Sequence, residues 1–178
     1  VTETLIRDED ADLIGHSEAV FNEARTHRYL LIRRWQTVGR TLTMVMLNPS
    51  TATATTDDPT IRRCVSLAKR EGCAALTVVN LFGLRTPHPS HLRKFRDAVG
   101  ERNDEFIDRH CVPGRRVIAA WGAWGWLQDR APEVVARLTA AGVDLRCLGT
   151  TRAGQPLHPL YLPASVGIRP YVPEWAAA

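Results

Sequence analysis

A chain of 178 residues with 44% hydrophobic and 24% charged residues has the balance of an ordinary globular domain, which excludes collagen-like, coiled-coil and disordered classes. No stretch approaches the roughly 20 consecutive apolar residues of a membrane span, and residues 1–12 are acidic where a secretory leader is basic and then apolar, so a cytoplasmic protein with no membrane partner is expected. The net charge is +4, and of the 23 lysines and arginines all but Lys69 and Lys94 are arginine, whose planar fork matches phosphate oxygens in pairs. Nucleic acid or a phosphorylated ligand fits that surface, with GC-rich codon usage as the plain alternative.

In chain order, residues 1–27 read as an N-terminal extension in which 14–25 is helical or irregular. The run 29–35 ends in Thr37-Val38-Gly39-Arg40 and is expected to pair antiparallel with the next strand as an edge hairpin. Four largely apolar runs of strand length follow, 42–47, 76–81, 117–121 and 143–148, and are read as strands buried on both faces. Helical character fills the gaps: 60–71, 92–110 with a break at Gly100, and 126–141 with a restart at Pro132. The alternation predicts an α/β fold, a single domain over 1–178 with a core at 28–165, built on a central, mostly parallel four-stranded sheet flanked by helices. Five prolines between 156 and 173 keep the tail in extended coil. Cys64, Cys73, Cys111 and Cys147 form no C-x-x-C pair and have no His at zinc-ligand spacing, so they read as buried free thiols, with a dispersed iron–sulfur cluster as the remaining alternative.

Ligands of open parallel sheets bind beyond the carboxyl ends of the strands. Those ends read Asn48-Pro49-Ser50-Thr51, Asn80-Leu81-Phe82-Gly83, Trp121-Gly122 and, after Leu148-Gly149, a loop reaching His158-Pro159. Two carboxamides, an indole and an imidazole suit a flat heterocycle. Each has a plain reading as well: an Asx-turn for Asn48, core packing for Trp121, Trp124 and Trp126, a structural role for His158. Asn80 is harder to explain that way, because a carboxamide ending a buried strand needs partners for both donor and acceptor. The loop 48–59 is long and rich in hydroxyls; Asp58-Pro59 looks like a helix start, which leaves Asp57 as the free carboxylate.

The segments LNPSTATATTDDPTIRRC, VVNLF, AAWG and HPLYLP are similar to a bacterial family known only as a domain of unknown function, over about residues 28–165. The same ordered elements resemble the uracil-DNA glycosylase superfamily. Its Asp-Pro or Asn-Pro motif matches Asn48-Pro49, its base-reading Asn matches Asn80, its Trp-Gly matches Trp121-Gly122 and its His-Pro loop matches His158-Pro159. Two departures stand out: HPLYLP replaces a His-Pro-Ser type signature, and the first motif has Asn in place of Asp.

The resemblance implies a DNA glycosylase that hydrolyses the N-glycosidic bond of a flipped nucleotide with no metal or organic cofactor. His158 would hydrogen-bond the departing base, Asn80 its Watson–Crick edge, and Asn48 a water; Asp57 and Asp58 are the candidate bases. Ser50, Phe82 and Trp121 would complete the base pocket. Leu160 and Tyr161 would fill the gap left in the duplex, and Arg62, Arg63, Arg85 and Arg152 would hold phosphates. The small Ser50, where the uracil-specific branch has Tyr, admits a bulky 5-substituent. The expected substrate is a modified pyrimidine in DNA, such as glucosylated hydroxymethylcytosine in phage DNA, excised by a monomer in defence; repair of uracil or damaged bases is the alternative. Two other classes compete, a metal-dependent phosphoesterase using Asp57, Asp58 and His158, and a non-catalytic nucleic-acid-binding module.

Overall fold

The computed structural model describes residues 3–13, 15–173 and 175. Residues 1, 2 and 14 of the opening stretch lie outside that set. Eight strands form one sheet: β1 (Leu5–Ala11), β2 (His16–Asn22), β3 (Arg28–Arg34), β4 (Thr41–Met46), β5 (Ala75–Asn80), β6 (Arg116–Ala119), β7 (Leu145–Cys147) and β8 (Arg169–Pro170), in the spatial order β1-β2-β3-β5-β4-β6-β7-β8. The helices are α1 (Pro59–Arg70), α2 (Asn103–His110) and α3 (Arg130–Ala140).

This corrects the expected four-stranded, mostly parallel sheet. Only β5-β4, β4-β6 and β6-β7 pair in parallel; β1-β2, β2-β3, β3-β5 and β7-β8 are antiparallel and outnumber them. Residues 16–22, expected to be helical or irregular, are a strand, and β3 pairs with β5 instead of forming a hairpin with β4. The predicted helix over 92–110 is also reduced, to a short helical turn at Pro89–Arg93 and to α2. The reason lies in the backbone: Gly83 and Leu84 donate to Val99 and Ala98 at 2.9 and 3.0 Å, which draws 98–99 out of helix. In the tail, 159–161 form one helical turn and 169–170 a strand, so extended coil describes only part of it.

Two apolar layers enclose the sheet. One packs α2 and α3 through Phe106, Ile107, Val134 and Leu138 against Val45, Val79 and Val117; the other packs α1 through Ile61, Cys64, Leu67 and Ala68 against Met44, Leu76 and Val78. The four cysteines are buried and free, and burial pushes the Cys64 and Cys111 thiols up to about 12. Among the described residues no group of three or more His, Cys, Asp or Glu side chains converges, so the dispersed-cluster alternative finds no gathering of thiols. No helix among them is long and apolar enough to cross a membrane.

Candidate functional site

Register brings the three parallel strand ends level. Met46 pairs with Asn80 and Val45 with Ala119, and Leu81, Phe82 and Ala120 then donate to Met46, Leu47 and Val45 at 2.8, 2.9 and 2.8 Å. Beyond these ends lies a cavity of about 580 Å³ lined by Asn48, Ser50, Asp58, Asn80, Trp121, His158, Leu160 and Tyr161, among others. Its size and its mixture of apolar walls and a few polar groups suit a small organic ligand. A larger, open depression of about 710 Å³ lies at the opposite, amino ends of the strands, lined by Arg40, Arg115, Arg116, Arg146, Glu71 and Asp144 among others. We place the site in the smaller cavity, because loops from four strands deliver their polar groups there.

Asn48 is fixed in one orientation. Its Nδ2 donates to the carbonyls of Pro49, Leu84 and Thr86 at 2.9, 3.4 and 2.7 Å, three acceptors that dictate which end of the amide is nitrogen. The Oδ1 is left as an acceptor. A carboxylate here would meet three carbonyl oxygens with nothing to donate, which is why the position holds Asn and not Asp.

Asn80 ends β5, 1% exposed, and its Nδ2 is buried with no partner among the described residues. Its own strand end is anchored from behind: Asn103 donates to the carbonyls of Asn80 and Leu81 at 2.9 and 3.1 Å, and the buried Arg130 donates to Leu81 at 2.8 Å. An orphaned donor on a rigid support, opening on a cavity, is the arrangement expected of a ligand contact.

His158 accepts from the Leu160 N–H through Nδ1 at 3.3 Å. Burial holds its pKa below the ordinary histidine value, against a smaller opposing pull from Asp58. The neutral ring therefore carries its proton on Nε2, as a donor. Gly122, at φ +74, passes beside it: a Cβ there would stand 3.5 Å from the Cβ of His158, and its N–H donates to Pro156 at 2.9 Å, joining the Trp-Gly and His-Pro loops. Gly125 is a second tight approach, since a Cβ would meet the Trp121 ring at 2.2 Å.

The carboxylates divide. Asp58 is the N-cap of α1, accepting from Ile61 at 2.8 Å, and also lines the cavity. Asp57 is not the free carboxylate expected of it: it pairs with the buried Arg33 at 2.8 Å and does not line the cavity. Phe82 is another correction, since it is 0% exposed in the core and absent from the cavity wall. Trp121 reaches the wall but is otherwise packed, with its indole N–H on Gln155 at 2.8 Å and Tyr171 against its ring. The loop hydroxyls of Thr51, Thr53, Thr55 and Thr56 do not line the cavity either; Ser50, Thr60, Thr86 and Thr151 do.

Three of the four phosphate candidates have internal work. Arg63 donates to Pro159, Leu162 and Pro163 and so ties the last loop to α1; Arg62 donates to the Asp57 carbonyl; Arg85 donates to Arg25 and lies over Phe21. Arg152 is exposed on the loop before His158. Leu160 and Tyr161 stand at the rim, Tyr161 83% exposed. Sequence reasoning missed Arg28, a cavity residue 2% exposed at the head of β3, and Arg93, whose guanidinium lies over both Trp124 and Trp126, themselves stacked.

With this geometry in view, the comparison with known families is specific: the profile of a protein family of unknown function, DUF1643, matches residues 28–160, three quarters of the chain. The chain belongs to DUF1643. No curated protein and no solved structure matches it. Within the DUF1643 region lie every strand from β3 to β7 and each of Asn48, Asn80, Trp121 and His158. The strands β1 and β2 lie before it.

Proposed function

We propose that this DUF1643 protein is a DNA glycosylase that hydrolyses the N-glycosidic bond of a flipped, modified pyrimidine. The observation that carries the reading is the cavity that holds together an orphaned carboxamide donor at Asn80, a neutral imidazole donor at His158 and an acceptor oxygen at Asn48. Breaking the C1′–N bond leaves its electron pair on the base and positive charge on the sugar, so a catalyst must meet both charges and place a water. Asn80 donates to the Watson–Crick edge, and the His158 Nε2–H to a base carbonyl that becomes anionic. Asn48 Oδ1 accepts from the water that attacks C1′. The proton that water loses passes to Asp58, the carboxylate in the cavity. Extruding the nucleotide costs a few kcal/mol of unstacking, offset by the pocket contacts, with Leu160 and Tyr161 entering the gap.

Ser50 leaves room beside Asn48 for a 5-substituent, which favours a hypermodified base over uracil and makes glucosylated hydroxymethylcytosine in phage DNA the first substrate to try. The phosphoesterase reading is weakened by the pairing of Asp57 with Arg33, which takes one of its three ligands out of the cavity. Oligonucleotides carrying single modified pyrimidines, incubated with the protein and then heated in alkali, test the proposal. Strand scission at the modified position only after alkali, lost in Asn48→Ala, is the expected result. Scission without alkali, or scission unchanged in Asn48→Ala, refutes it.

A further inference from the structure

Three arginines are buried among the described residues, and two of them have a carboxylate: Arg33 holds Asp57, and Arg130 holds Asp104 and Glu133. The third, Arg28, pairs with no carboxylate among the described residues. Its Nη1 donates to the Ala52 carbonyl at 2.7 Å, while its Nε is buried with no acceptor. Among the described residues Asp58 acts on it from outside ion-pair distance, while the Asp58 Oδ1 accepts from the Ile61 N–H. Arg33 and Arg85 add further positive charge on the same guanidinium. Burial and these two neighbours lower its pKa, to about 9, so it is a cation at neutral pH. A buried guanidinium with no ion-pair partner and an orphaned Nε is costly and persists where something else supplies a nearer counter-charge.

Arg28 lines the cavity that also holds Asn48, Asn80 and His158. Ser50 lines the same cavity, and Ala52, two residues beyond it, accepts from Arg28. We propose that Arg28 is an anion-binding subsite: the cavity's occupant presents a carboxylate or phosphate to this guanidinium, either as a substituent of the base beside Ser50 or as the phosphate of the nucleotide. The pyrimidine part rests on the glycosylase reading; the charge does not.

Calorimetric titration of the intact protein with two matched pairs tests it: 5-carboxyuracil against 5-hydroxymethyluracil, and deoxyuridine monophosphate against deoxyuridine, with inorganic phosphate alone as a fifth probe. The anionic member of at least one pair should bind roughly tenfold tighter or more, and that preference should vanish in Arg28→Gln and survive in part in Arg28→Lys. A preference in the first pair assigns the anion to the base, and one in the second to the nucleotide phosphate. Should Arg28→Gln fail to fold by circular dichroism, Arg28→Lys decides: the preference should weaken there, and a preference undiminished in Arg28→Lys overturns the subsite. Equal affinities within both pairs, a preference unchanged in Arg28→Gln, or no binding of any probe overturns the subsite. Arg28-dependent binding of phosphate with no binding of any pyrimidine supports the subsite and counts against the glycosylase reading alone.

Discussion

At the scale of single residues, function and stability separate at Asn80. Its buried Nδ2 has no partner, so Asn80→Ala removes an unsatisfied donor and should change unfolding free energy by no more than about 1 kcal/mol, while base release falls roughly a hundredfold. Thermal denaturation alongside the release assay checks both halves. Asp57 should behave in the opposite way. Because it pairs with the buried Arg33, Asp57→Asn is expected to cost roughly 3 kcal/mol in urea denaturation and to leave turnover per folded molecule intact; a lost turnover with unchanged stability would return it to the chemistry. For His158 the sign of the pH effect is fixed by its lowered pKa. The working form is neutral, so activity should stay flat through neutral pH and fall with acid only below the ordinary histidine range, as protonation also removes the Nδ1 acceptor from Leu160. Of these residues, Asn48, Asn80 and His158 were legible because each ends or follows an apolar run. Arg28 was not: an arginine opening a strand reads as solvent-facing, and its burial comes from the tertiary fold, where it pairs with Phe21 of β2 and reaches the Ala52 carbonyl.

Among the elements, the parallel strands β4, β5 and β6 could be read from the sequence because burial on both faces leaves a largely apolar run, whereas β7 carries Arg146 and was legible from the apolar residues around it. β1 could not be read. Its sequence, LIRDEDA, has three acidic residues in seven because the strand lies at the sheet's edge and is mostly exposed, with Arg7 on Glu18 of β2 as a cross-strand pair and Arg25, in the turn after β2, on Asp8. The partner of β3 was equally hidden, since β5 lies 40 residues further on and the choice between β4 and β5 is made by the whole sheet. The element with most leverage on the site is the last loop. Arg63 grips three of its carbonyls from α1, so Arg63→Ala should lower turnover roughly ten- to a hundredfold through misplacement of His158, with a much smaller change in melting temperature. Steady-state kinetics would separate this from a phosphate contact, whose loss raises KM for DNA and spares turnover.

Across the whole molecule, the arginine-rich composition turns out to serve the fold at least as much as any ligand. Arg7, Arg25, Arg33, Arg102, Arg109, Arg116, Arg130, Arg137 and Arg146 all sit in ion pairs, and Arg62, Arg63 and Arg70 hold backbone carbonyls. Outside the cavity, Arg152 on the loop before His158 and Arg93 over Trp124 and Trp126 are the candidates for further phosphates. The logarithm of DNA affinity should therefore fall with the logarithm of salt concentration at a slope near only −2, which fluorescence anisotropy in a salt series would measure. That the basic charge was an ambiguous sign in the sequence follows from the same fact, because composition does not say which arginines already have partners. The most direct test of the central claim is mass spectrometry of free bases released from uracil-containing and glucosylated phage DNA. The account predicts a free modified pyrimidine, an intact sugar–phosphate chain and loss of release in Asn48→Ala; cut chains without a free base, or no base released from either DNA, would contradict it.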